Sequence, residues 1–295
     1  MKELRVAIIG YRFMGRAHSH AWRNAPLFLD VKAQPILKAA CGRKREPLKK
    51  FARKRGWQEI ETDWRKVVQR KDIDISVPHH LHYEIALAAA RTGKHIFCEK
   101  PLALDAVQAE EMMKTAQDMG VVHYVNFNYR RCPAVALARQ LIGSGHQAAL
   151  NSHSVDFHNG ARGSFETSRF ATGRRNFNCF EIYGSRGSVS FNLERLNELE
   201  FFSLDDPEHE RGYRTILATE RMHRHLQAWW PPGHIIGYEH SHIHAVADFI
   251  NAVADKKEIR PDFEDGWKCM QVLDAGLRSA REGRKIDIGS IIGNK

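Results

Sequence analysis

Between Leu4 and Phe127 short apolar runs alternate with helix-like segments, and that alternation restricts the first half of the chain to a mainly parallel sheet covered by helices. Leu4–Ile9 is apolar apart from Arg5 and stops at Gly10, as a strand buried on both faces should. A helix over Gly15–Asn24 is ended by Pro26, a strand over Pro35–Cys41 follows, and Pro47–Arg55 forms a basic helix closed by Gly56. Asp72–Val77 reads as a strand broken by Pro78. His82–Arg91 is an Ala-rich helix with Gly93 behind it, and His95–Cys98 is the next strand. Asp105 caps a further helix, with Gln108 three residues on and Gly120 at its end, before a last strand over Val121–Phe127.

A β-α repeat of this extent has the size of a nucleotide-binding domain. Beyond it the pattern changes. Gly163–Thr167, Phe177–Tyr183 and Ser188–Asn192 are short strands separated by Gly-containing turns, and helices over Glu239–Asp255 and Asp265–Arg281 follow. The expected fold class is α/β: a Rossmann-type parallel sheet in residues 1–128, then an α+β domain with an open, mainly antiparallel sheet in residues 129–295. Two domains also suit a chain of 295 residues, at about 100–200 residues per domain.

Composition narrows the setting. No apolar run approaches the roughly 18 residues of a membrane span, so no membrane partner is expected. Met1-Lys2-Glu3-Leu4-Arg5 runs into a strand without a signal-peptide core, which points to the cytoplasm. The five cysteines (Cys41, Cys98, Cys132, Cys179, Cys269) are scattered, with no C-x-x-C pair, against both a disulfide framework and a thiolate zinc site. Forty-five Lys and Arg against 35 Asp and Glu leave a net charge of +10, concentrated in Arg43-Lys44-Arg45 and in Lys49, Lys50, Arg53, Lys54 and Arg55. A solvated helix flank accounts for this cluster; without interleaved aromatics or a nucleic-acid motif, no nucleic-acid partner is expected.

Three places carry chemistry. Gly10-Tyr11-Arg12-Phe13-Met14-Gly15 follows a strand and opens a helix, the context a dinucleotide fingerprint needs. Gly10 makes the tight turn, Gly15 lets the helix pack close, and the helix start attracts a pyrophosphate. Arg12 stands where the middle glycine belongs; it either obstructs the site or swings outward and offers its guanidinium to phosphate. The second strand ends in Cys41-Gly42-Arg43-Lys44-Arg45, with no carboxylate to accept from a ribose 2′-hydroxyl. That favours NADP over NAD, although surface solvation explains the cations too. Third, Lys100 in Cys98-Glu99-Lys100-Pro101 ends a parallel strand, at the edge where open α/β sheets bind ligands. It can donate to a substrate oxygen there, or be a solvated lysine before a turn.

These segments, in this order, resemble the glucose-fructose oxidoreductase / inositol dehydrogenase / MocA (Gfo/Idh/MocA) family of nicotinamide-dependent sugar and polyol dehydrogenases. The matching pieces are Val6–Gly15, Val77-Pro78-His79-His80-Leu81-His82, Gly93–Ala103 with its Glu99-Lys100-Pro101, Asn126–Arg131, Gly163-Ser164-Phe165-Glu166, Gly184–Ser188 and Pro261–Gly266. The resemblance implies a sugar or polyol substrate, NADP or NAD as cofactor, and a dimer or tetramer built on the second domain's sheet. Carried over residue by residue, it implies cofactor contacts at Gly10, Tyr11, Arg12, Phe13, Met14, Gly15, Gly42, Arg43, Val77, Pro78, His79, His82, Glu99, Lys100 and Asn128. Lys100 would polarise the reacting oxygen and His153 would take the hydroxyl proton. No metal is implied.

The chain also departs from the family. Ala149 stands where the family's aspartate belongs, four residues before His153, so only Asp156 or another acid is left to orient the histidine. Abrupt joins after Gly145 and after Asp156 read as missing internal segments, and the strand before Pro78 is about two residues short. A competing reading is therefore a non-catalytic member that binds dinucleotide or a partner. His240, His242 and His244 with Asp248 offer helix-spaced metal ligands, or partly buried histidines near a domain contact. Trp229-Trp230-Pro231-Pro232 is a sugar platform or a rigid aromatic anchor, and Tyr129-Arg130 borders the cleft or forms a hinge.

Overall fold

A computed structural model describes residues 2–78, 81–142, 153–168 and 171–291. The chain divides into two units, Met1–Phe127 with His242–Lys295, and Asn128–Ser241.

In the first unit, β1 (Lys2–Ile9), α1 (Phe13–Phe28), β2 (Ala33–Cys41), α2 (Arg45–Arg55), β3 (Glu59–Glu61), α3 (Trp64–Gln69), β4 (Ile75–Pro78), α4 (His82–Arg91), β5 (His95–Cys98), α5 (Ala106–Asp118) and β6 (His123–Val125) follow one another. The strands form one parallel sheet in the order β3-β2-β1-β4-β5-β6. The order reverses between β1 and β4, which sets a crevice at their carboxyl ends. Alternation along the strands divides the core. Ala7, Ile9, Ile96, Cys98 and Val125 join a buried cluster with residues of α3, α4 and α5. Phe97 and Tyr124 turn to the other face, where the ring of Trp22 on α1 lies 5.9 Å from Phe97. Arg5 fixes β1 against β4 through a two-pronged contact with Asp74, at 2.9 and 3.0 Å.

Several elements differ from the sequence expectation for local reasons. α1 runs through Pro26 to Phe28, because the proline sits in the last turn and Leu29 still bonds the Ala25 carbonyl. β3 and α3 were not foreseen: Glu59-Ile60-Glu61 is too short and charged to show a period. β6 is confined to three residues; just past it the Phe127 N–H turns back onto the Val125 carbonyl at 2.8 Å.

The second unit holds α6 (Pro133–Ile142), β7 (His153–Asp156), β8 (Arg162–Phe165), β9 (Cys179–Tyr183), β10 (Gly187–Asn192), β11 (Glu198–Ser203) and β12 (Arg214–Leu217). The last four form an antiparallel sheet, β12-β11-β10-β9, and β7 pairs with β8 alone. Ala134 and Ala138, one turn apart on α6, meet Val189, Phe191 and Leu199 in its core.

The chain returns to the first unit within the first turn of α7 (Tyr238–Asp255), and α8 (Phe263–Glu282) stays there. Phe249 of α7 packs on Phe97 at 5.3 Å, and Phe263 and Met270 of α8 complete the opposite core. Where the sequence suggests a single division after residue 128, the chain crosses after Phe127 and crosses back at 241/242. α8 begins two residues before the expected Asp265, because Asp262 forms a capping box with it, and Gly283 ends the helix. Among the described residues no helix is long and apolar enough to cross a membrane.

Candidate active site

Gly10 follows β1 with φ +123, a left-handed value that glycine adopts without penalty, and its N–H bonds the Cys41 carbonyl. The chain thus turns directly into α1. No side chain caps α1 and no acid stands in its first turn. An anionic group at that end meets helix amides and the positive end of the dipole. Gly15 packs against the turn so closely that a Cβ there would lie 2.4 Å from the Gly10 carbonyl oxygen. This cradle, which any side chain would fill, fits a dinucleotide pyrophosphate. Arg12 and Phe13 are exposed beside it.

The neighbouring strand ends bring further residues to the same edge. Gly42 and Arg43 follow β2, whose Cys41 pairs with Ile9, and Pro78 of β4 pairs with Ile9 from the other side. Tyr11 covers Gly42 so tightly that a Cβ there would meet the ring at 2.3 Å. Arg43, Lys44 and Arg45 are exposed. Two acids close to Cys41 are engaged: Glu61 accepts from the Thr62 and Asp63 amides, and Asp63 caps α3. Burial raises the Cys41 thiol to about 12, so it is an inert wall of the site. His82 opens α4 and donates from Nδ1 to the Pro101 carbonyl at 2.7 Å, tying α4 to the segment after Lys100. Val77 is buried in β4, while His79 lies outside the described residues.

Glu99 and Lys100 follow β5 and face differently. Lys100 is exposed, whereas the Glu99 carboxylate is buried and turned inward to His18 and Asn126, each at 2.6 Å. His242 closes this group, and burial holds its imidazole down at about 3, helped by the neighbouring His18. Sequence reasoning missed His18 and Asn126 and placed His242 in other company. Among the described residues, His18, Glu99 and His242 are the one group whose ligand-type atoms converge, within 4.8 Å of one another. His240 instead lies against Trp229, with ring centroids 4.4 Å apart, and its Nδ1 accepts from the Gly237 amide.

In the second unit Asn128 is buried and donates to Ser241 Oγ at 2.9 Å. The backbone of His153 starts β7 opposite Phe165; its side chain and Ala149 lie outside the described residues. Asp156, at the far end of β7, pairs with Arg162 at 3.5 Å.

Residues 4–127 match the family model described as oxidoreductase family, NAD-binding Rossmann fold, and residues 149–288 match that family's C-terminal alpha/beta domain. The six-stranded unit with its dinucleotide turn and the antiparallel unit are therefore parts of one enzyme class: the chain belongs to the Gfo/Idh/MocA family of oxidoreductases. It is similar to levoglucosan dehydrogenase of Pseudarthrobacter phenanthrenivorans, at 31% identity over 99% of this chain and 100% of that one. Among solved structures, levoglucosan dehydrogenase in complex with NADH and L-sorbose superposes with a TM-score of 0.90 at 30% identity, covering 98% of this chain and 99% of that one. An oxidoreductase domain protein from Kribbella flavida gives a TM-score of 0.88 at 34% identity, covering 96% and 98%. The alignment with the levoglucosan enzyme spans 389 positions against 295 residues here, so at least 94 positions (389 minus 295) face gaps.

Proposed function

We propose that this protein oxidises a hydroxyl of a small sugar of the levoglucosan or ketose type, with NAD as cofactor. The observation that carries the proposal is the end-to-end likeness to levoglucosan dehydrogenase, whose solved complexes contain NADH with levoglucosan or with L-sorbose. The bound nicotinamide supplies the hydride acceptor. The turn from Gly10 to Gly15 and the start of α1 hold the pyrophosphate, and the segment after Gly42 takes the adenosine end. NADH in those complexes supports NAD and revises the preference for NADP drawn from Arg43-Lys44-Arg45.

Lys100 is assigned the reacting oxygen: its ammonium donates to the substrate hydroxyl and stabilises the alkoxide as negative charge develops. His153 is assigned the proton by the family pattern alone, with Asp156 as the remaining acid in its strand. Self-association through the sheet of the second unit belongs to the same proposal, and exposed Tyr183 and Leu217 on that sheet support it. A cytoplasmic setting belongs to the same proposal and suits the buried thiols of Cys41, Cys98 and Cys132, which form no disulfide.

The test is to mix the purified protein with NAD or NADP and levoglucosan, L-sorbose or inositol, and to follow nicotinamide reduction. Turnover of an anhydro- or keto-sugar with NAD is expected. Tight NAD binding with no turnover of any sugar would favour the non-catalytic reading, for which Ala149 and the shortened chain speak.

A further inference from the structure

Behind Lys100 the first unit buries four polar side chains from four elements: His18 of α1, Glu99 after β5, Asn126 after β6 and His242 of α7. Glu99 Oε1 accepts from His18 Nε2 and Asn126 Nδ2, both at 2.6 Å, and Glu99 Oε2 accepts from the backbone N–H of Lys100 at 3.2 Å. Asn126 Nδ2 also donates to His242 Nδ1 at 3.1 Å. With a carboxylate and an imidazole lone pair as partners, only the amide nitrogen of Asn126 can face this centre.

A buried carboxylate is retained against a large desolvation penalty only when it is fully partnered. The donor set His-Glu-His would suit zinc. Here, however, the amide N–H groups point at the lone pairs a cation would need. The arrangement is a hydrogen-bond hub, and it reaches the exposed Lys100 through that residue's own backbone N–H.

We propose that His18, Glu99, Asn126 and His242 form a positioning unit that fixes the Glu99–Lys100 peptide and so aims the lysine ammonium at the carboxyl edge of the sheet. The unit rests on the reading of Lys100 given above. It also ties that peptide to α1 three residues beyond Gly15, joining the lysine to the helix that opens at the dinucleotide turn. Neutral His242 serves as an acceptor, which keeps the Asn126 amide turned toward Glu99.

The test is a double-mutant cycle in the full-length enzyme saturated with NAD. Glu99→Gln is expected to lower kcat about 10–100-fold, as small misplacements of reacting groups do, with a much smaller change in KM for the sugar. In a Lys100→Met background the same substitution should add less than about twofold, because it acts through the lysine. Independently of turnover, hydrogen–deuterium exchange at the Lys100 amide of the free protein should quicken by about tenfold in Glu99→Gln.

If Glu99→Gln does not fold, His242→Leu should lower kcat several-fold and His242→Gln, which keeps an acceptor, should restore it. Losses that multiply in the cycle, unchanged exchange at Lys100, equal effects of His242→Leu and His242→Gln, or one equivalent of bound divalent metal would each overturn the positioning unit while leaving the Lys100 reading in place. Full turnover in Lys100→Met alone overturns both.

Discussion

The Gly10 carbonyl and the Cα of Gly15 are neighbours: a Cβ on Gly15 would lie 2.4 Å from that oxygen, closer than atoms can approach. The turn and the helix can adjoin only while position 15 has no side chain. Gly15→Ala should therefore splay the turn, lower stability by about 1–3 kcal/mol as overpacking does, and weaken NAD binding at least ~10-fold through the displaced helix start. Fluorescence titration with NAD, beside a denaturant melt, checks both effects.

Cofactor choice turns on the cations after Gly42. NAD should bind more tightly than NADP. Arg43→Ala with Lys44→Ala should weaken whatever NADP binding remains by about tenfold or more, the worth of a charge-assisted contact to a 2′-phosphate, and leave NAD nearly unchanged. Parallel titrations with the two cofactors decide it; a protein that prefers NADP would reverse the assignment.

Lys100→Met removes the ammonium and keeps the length of the side chain. Turnover should fall at least ~100-fold with NAD affinity unchanged, since the charge acts on the reacting oxygen. A variant that loses cofactor affinity instead would place the lysine in binding.

α8 approaches the segment after Lys100 across Gly266, where a Cβ would meet Leu102 Cδ2 at 2.6 Å and Val125 Cγ2 at 3.0 Å. Gly266→Ala should cost about 1–3 kcal/mol of stability, because both neighbours are themselves buried. Chemical denaturation measures it, and an unchanged midpoint would show that α8 can shift outward freely.

Burial holds His242 at about 3, far below an ordinary imidazole. Its folded-state value is depressed, so its contribution to stability is complete above the unfolded value of about 6.5. It is lost as pH falls from there through about 3, because the unfolded chain takes up the proton first. His123 and His95, also lowered by burial, act in the same direction. Melting temperature should decline below about pH 6.5, and less steeply in His242→Gln. Equal slopes in the two proteins would remove His242 from the account.

α4 and β5 fall on the residues read from the sequence, because Gly93 separates an alanine-rich helix from a run of four strand formers. Strands β11 and β12 escaped notice: Phe201 beside Phe202 blurs the alternation, and Arg214–Leu217 is short and mostly exposed. An amphipathic pattern reveals that α7 and α8 are buried on one side, and it says nothing of which unit buries them. The turn at Gly10 and the lysine at the end of β5 were legible because each is a local strand-end feature. The group around Glu99 was not, since His18, Asn126 and His242 meet only after the sheet is assembled. Helical spacing pairs His240 with His244, and it is the residue between them, on the side toward the sheet, that joins the site.

The chain leaves the first unit after Phe127 and returns at His242, and these two points are held side by side. Asn126 bonds His242 at 3.1 Å on one side of the crossing, and Asn128 bonds Ser241 at 2.9 Å on the other. Residues 128–241 are thus one continuous excursion of the chain between β6 and α7. The joins that the sequence suggests after Gly145 and Asp156 both fall inside it, so a deletion at either place leaves the strand order of the six-stranded sheet and its lysine untouched.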